Sequence, residues 1–185
     1  MTPLKSISSV YPGSTAGFTL LENFIIMTLL ALAATMLSGG MVAWLDQRQV
    51  NQTQSLIYQA LRGTQRDASK RQQRQQFSLR ERNGRLEWAN HPESVTPAQV
   101  NQWQYLPSGV RFASEDNTLP LLKTDNVYYV RFDFHGDVRS SLGTVTLVGS
   151  GSRLSYRCVV VSTLIGALRQ GEGHSKANSN QRYCY

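Results

Sequence analysis

Between Glu22 and Asp46 the chain runs for 23 residues, Asn23 to Leu45, without one charged side chain. At 1.5 Å per residue a helix over that run is about 34 Å long, enough to cross the hydrocarbon of a bilayer. No second stretch of the 185 residues is long and apolar enough to do the same, so a multi-span membrane protein is excluded. The rest of the chain has to fold on its own. With 41% apolar and 17% charged residues it does not have the low hydrophobicity and dense charge of a disordered chain. Two Cys are too few for a disulfide-dense miniprotein. Residues 1–17 hold one charge, Lys5, and Pro3, Pro12, Gly13 and Gly17 keep them from extending the helix.

An apolar run near the start is either a cleaved secretory signal or a retained span. This run is long, and no A-x-A-like site closes it; Ser38-Gly39-Gly40 is the nearest cluster of small residues. A retained helix is the expectation. Glu22 at its head is unusual for a plain anchor, because a carboxylate in hydrocarbon costs about 2–3 kcal/mol. No Lys or Arg lies between Lys5 and Arg48, so its partner has to come from outside the helix. A new amino terminus on a neighbouring subunit, made by cleavage in this region, would serve. Gly39-Gly40 weakens the helix by about 1 kcal/mol per residue relative to Ala. It marks a bend or local melting, or else close packing of membrane helices.

From Asp46 to about Gln75 the pattern continues as a helix. Leu45, Gln49, Gln52, Leu56, Gln59 and Gly63 form a thin stripe, thickened by Val50, Ile57, Tyr58, Ala60, Leu61 and Ala68. Arg62, Arg66, Lys70, Arg71 and Arg74 make its end basic. Favourable placement against the helix dipole is the simpler account and a binding patch the alternative. Asn83-Gly84 is the preferred type I′ dipeptide, and a two-residue loop there sets Leu79 opposite Trp88 and Arg80 opposite Glu87. His91 to Pro107 reads as a long loop or short helix, with Trp103 and Tyr105 at the core edge. Short strands are expected over 110–113, 127–134, 144–148 and 155–161, separated by turn residues such as His135-Gly136-Asp137. The fold class is therefore α+β, one long helix followed by an antiparallel sheet.

No catalytic or cofactor motif is present: no G-x-S-x-G elbow, phosphate loop or H-E-x-x-H. Asp133, His135, Ser140 and Ser141 could be drawn as a Ser–His–Asp group, but a turn accounts for them. The two Cys with distant His135 and His174 do not have a zinc spacing. An enzyme is not expected, nor a metal or cofactor.

Gly17-Phe18-Thr19-Leu20-Leu21-Glu22, ahead of the apolar run, resembles the prepilin motif of type IV pilins and type II secretion pseudopilins. The resemblance implies a pilin-like fold. It implies cleavage between Gly17 and Phe18 by a prepilin peptidase, N-methylation of Phe18, and docking through Glu22 onto other pilins in a filament. Asn23 is polar where relatives usually carry an apolar residue. The expected organisation is leader 1–17, membrane and filament-core helix 18–45, soluble helix 46–75, sheet domain 76–165 and basic tail 166–185. Before assembly the chain would sit in the inner membrane with its carboxyl domain periplasmic. Later it would enter a pilus or pseudopilus. In that oxidising compartment a Cys158–Cys184 disulfide would close the polar tail, with two free thiols as the alternative.

The basic stretch Arg66-Asp67-Ala68-Ser69-Lys70-Arg71-Gln72, the hairpin, Arg131-Phe132-Asp133-Phe134-His135-Gly136, and Ile165-Gly166-Ala167-Leu168-Arg169 together resemble the GspH/FimT group of minor pilins. Some FimT proteins bind DNA through a Gly-Arg-x-Arg tail motif; here its first Arg is Ala167. Arg153, Arg157, Arg169, Lys176 and Arg182, interleaved with Tyr156, Tyr183 and Tyr185, are the candidate contact for double-stranded DNA, with a basic surface that serves solubility as the simpler role. Three functions follow: a structural minor pilin, a DNA-uptake receptor, or a GspH-like pseudopilin of type II secretion.

Overall fold

The computed structural model describes residues 19–149, 155–179 and 181–185, and only the backbone of residues 36–39. Residues 1–17, expected to be a leader ending at Gly17, and Phe18 and Arg153 lie outside the described residues. The chain divides into two compact units, Met1–Gly40 and Met41–Tyr185. Helix α1, Leu20–Arg71, runs through both.

In the first unit Thr19 Oγ1 accepts the Glu22 N–H at 3.3 Å, which caps the start of α1. The apolar side chains that follow are bare: Leu20 is 88% exposed and Met27 70%. Among the described residues α1 is the one helix long and apolar enough to cross a membrane. Gly39 and Gly40, where a bend or local melting was one expectation, fall at the boundary between the two units.

In the second unit α1 buries Val50, Thr53, Gln54, Ile57, Ala60, Leu61, Thr64 and Ala68. Their three- and four-residue spacing makes one face. The stripe through Leu56, Gln59 and Gly63 is a different face, and Leu56 is 37% exposed. Gln72 ends α1 in the left-handed region, φ 50°, with the Gln73 N–H on the Ala68 carbonyl at 3.2 Å. This six-to-one closure stops the helix at Arg71, short of Gln75.

One sheet was expected and two are found. The first has β1 (Gln75–Arg82), β2 (Arg85–Pro92), β3 (Gln104–Tyr105), β5 (Leu121–Leu122) and β6 (Val127–Phe132), in the order β3-β2-β1-β6-β5. The second has β4 (Arg111–Phe112), β7 (Gly143–Val148), β8 (Arg157–Val161) and β9 (Leu168–Glu172), in the order β4-β7-β8-β9. The hairpin register is as expected, with Leu79 opposite Trp88 and Arg80 opposite Glu87. Asn83 and Gly84 have φ of 52° and 71°, as a type I′ turn requires. Arg80 Nη2 meets Glu87 Oε2 at 2.8 Å and its guanidinium lies 3.7 Å from the centre of the Trp103 ring. Trp103 thus covers an ion pair, and Tyr105 is 66% exposed instead of closing the core.

Phe77, Leu79, Val130 and Phe132 of the first sheet and Val145, Leu147, Val159 and Val161 of the second share one core with Ile57 and Leu61 of α1. Each such side chain contributes about 1.5–3 kcal/mol on burial. The strand expected over 127–134 ends at Phe132, because Asp133 Oδ1 accepts the N–H groups of His135 and Asp137 at 2.9 and 3.0 Å and opens the turn. The strand expected from Ser155 begins at Arg157. The tail expected over 166–185 begins with a strand, Leu168–Glu172, paired to β8.

Candidate assembly and binding surfaces

The tail is held at several points. Cys184 is disulfide-bonded to Cys158 of β8, with Cα atoms 6.1 Å apart. The last residue, Tyr185, exchanges two backbone hydrogen bonds with Glu172 of β9, both 3.2 Å. Tyr183 N–H reaches Asp116 Oδ2 at 3.2 Å. The His174 and Tyr185 rings stack at 3.9 Å.

This order separates the cations of the candidate DNA contact. Side chains alternate along a strand, so Arg157 shares the inward face of β8 with the core residues Val159 and Val161. It is 7% exposed, and its Nε donates to Asn51 Oδ1 of α1 at 2.6 Å. Cys158 points the other way. On that side Arg182 Nη1 donates to Thr144 Oγ1 at 3.3 Å. Arg169 and Lys176 are exposed. Arg157 is therefore not available to the candidate DNA contact. An arginine whose charge is buried against a helix does not reach a phosphate.

Sequence reasoning missed the polar anchors on the inner side of α1. Gln54 Nε2 donates to the carbonyls of Cys158 and Gly171, both at 2.8 Å, and so spans β8 and β9. Gln65 Nε2 donates to the Gly136 carbonyl at 2.9 Å and Ser69 Oγ to the His135 carbonyl at 2.8 Å. Gly136 has φ 90°, and a Cβ there would come within 2.7 Å of Ser69 Oγ, so glycine permits this close approach. The available signal was the position of these residues on the same side of the helix as Ile57 and Leu61.

The two flanks of α1 differ. On one, Leu56, Ala60, Gly63, Trp88, Val95 and Val100 help line a groove of about 770 Å³. On the other, Arg62, Arg66, Lys70 and His135 line a hollow of about 410 Å³, with Gln65 and Ser69.

A buried polar chain crosses the first sheet. Arg131 Nε donates to Gln76 Oε1 at 2.9 Å, Gln76 Nε2 to Ser78 Oγ at 2.9 Å, and Ser78 Oγ lies 2.9 Å from His91 Nε2. His91 Nδ1 is 3.0 Å from the Pro92 carbonyl, which only accepts. The proton therefore sits on Nδ1, and Nε2 accepts from Ser78. Burial holds the His91 imidazole below its ordinary 6.5; bonds to the Pro92 and Val95 backbone oppose this and Arg131 adds to it. Asp133 is also lowered: desolvation pushes it up, but the N–H groups of His135 and Asp137 and the His135 charge outweigh that.

The Ser–His–Asp grouping does not form a relay. Asp133 caps its own turn, and Ser140 Oγ accepts the Arg131 N–H at 3.2 Å. Among the described residues no cluster of His, Cys, Asp or Glu is arranged to hold a metal ion.

No family model matches the chain, and no curated protein matches it. Among solved structures, the type IV minor pilin FimU of Pseudomonas aeruginosa (strain PAO1) is similar with a TM-score of 0.47 and 9% identity. The match covers 68% of this chain and 90% of that one.

Proposed function

We propose that the chain is a minor type IV pilin, processed by a prepilin peptidase and assembled with other pilins into a filament. The observation that carries this reading is the Gly17–Glu22 motif set directly ahead of an apolar helix whose side chains the chain itself leaves bare. So large a contiguous apolar surface calls for a cover. The inner membrane covers it before assembly, and neighbouring helices cover it in the filament. The α+β domain behind it, one helix on antiparallel sheets with a disulfide-tied tail, stays outside the lipid on the periplasmic side.

Glu22 supplies selectivity. Leaving its carboxylate alone in a low-dielectric core costs about 2–3 kcal/mol. An amino terminus about 4 Å away returns about 4 kcal/mol at an effective dielectric near 20. The pair forms only when a neighbour has been cleaved to expose that amine, so processed subunits are incorporated and unprocessed ones are not. Glu22→Ala is expected to be cleaved normally and to appear in sheared filaments at several-fold lower yield. Incorporation equal to the parent would remove the docking role.

A further inference from the structure

One flank of α1 carries charge that neither the filament reading nor the fold accounts for. Arg62, Arg66 and Lys70 follow at four-residue intervals, about 6 Å apart along the axis. They and His135 line the hollow of about 410 Å³, and no carboxylate is among its lining residues. The bonds from Gln65 to the Gly136 carbonyl and from Ser69 to the His135 carbonyl lock the turn to the helix, so this spacing is built in. Arg62 is held by Gln65 Oε1 at 3.1 Å and lies 5.6 Å from the centre of the Tyr58 ring. The Arg66 and Lys70 side chains are exposed and make no hydrogen bond or ion pair among the described residues. Compensation of the helix dipole explains cations in the last turn, such as Lys70, but the effect fades within one turn. It does not explain Arg62 and Arg66.

Aromatic surface adjoins the row. Phe134 is 40% exposed and its ring centre is 4.3 Å from that of His135. It lines the next hollow with Arg74 and Glu93, and the Glu93 carboxylate is already met by Arg131 and Arg139, each at 3.6 Å. The turn carboxylate of Asp133 is engaged by its own backbone N–H groups. A spaced row of cations ending at exposed rings is what holds a single-stranded nucleic acid: phosphates follow the cations and a base stacks on a ring. A duplex keeps its bases stacked inside and offers the rings nothing.

We propose that this flank of α1, with the Phe134-His135 turn, binds single-stranded nucleic acid without sequence preference. The site is separate from the tail set and does not depend on the filament reading. The test uses the full chain in nonionic detergent micelles and fluorescence anisotropy with a labelled oligothymidylate, a duplex of equal length, and heparin as a polyanion without bases. The single strand should bind more tightly than either. Its log affinity should fall against log salt with a slope of about −2, as three phosphate contacts give. Arg66→Gln with Lys70→Gln should weaken binding by at least tenfold and reduce the slope to about −0.7. Phe134→Leu should weaken it about tenfold with the slope unchanged, since stacking carries no counterion. Equal or tighter binding of the duplex or of heparin would overturn the proposal. So would a double variant, or a Phe134→Leu variant, that binds like the parent.

Discussion

Arg157 Nε donates to Asn51 Oδ1 at 2.6 Å, joining β8 to α1 through a guanidinium that is 7% exposed. A hydrogen bond to a charged group contributes about 1.5–3 kcal/mol. Arg157→Ala should therefore lower the unfolding free energy of the full chain, read by urea unfolding, by an amount in that range and leave oligonucleotide binding unchanged. Weaker nucleic-acid binding at unchanged stability would return Arg157 to a surface role.

The Cys158–Cys184 bond spans 26 positions and ties the chain end onto the second sheet. The chain-entropy model gives about 3–4 kcal/mol for a loop of that size. Replacing both cysteines by Ala should lower stability by about that much, read by urea unfolding beside the parent. The parent with reductant should approach the variant. Equal stability of parent and variant would show that the backbone pairing of Glu172 with Tyr185 suffices.

His91 is held neutral by its burial. Below its ordinary 6.5 the unfolded chain takes up a proton that the folded chain refuses, so the unfolded state gains as pH falls. The contribution is intact above 6.5 and is lost as pH drops toward the folded value. Its slope is at most about 1.4 kcal/mol per pH unit. The midpoint of the parent should fall more steeply as pH drops below 6.5 than that of His91→Gln. Parallel pH profiles would contradict this.

Much of the fold was legible because its signals are local. Asn83-Gly84 fixed both the turn and the pairing of Arg80 with Glu87. The charge-free run marked the apolar half of α1. What escaped depends on contacts distant in sequence. Gln170-Gly171-Glu172 has no strand pattern of its own, yet Gly171 allows the chain end to pass close, and Gln54 supplies donors to the carbonyls beside it. Gln54 and Gln65 carried no signal of their own in the sequence, and only the facing strands and turn make them anchors. The tail cations shared composition but not a face, because alternation along β8 turns Arg157 inward. The basic end of α1 was visible in sequence. That His135 and Phe134 stand beside it was not, since the turn arrives from more than sixty positions away.

The central claim is that this chain becomes a filament subunit by cleavage inside Gly17-Phe18-Thr19-Leu20-Leu21-Glu22. Mass spectrometry of the mature amino-terminal peptide, taken from the full chain expressed with an active prepilin peptidase, tests it most directly. The account predicts a peptide that begins at Phe18, with one added methyl on its amine. A mature chain that keeps residues 1–17, or is cut within the apolar run near Gly40, would contradict it.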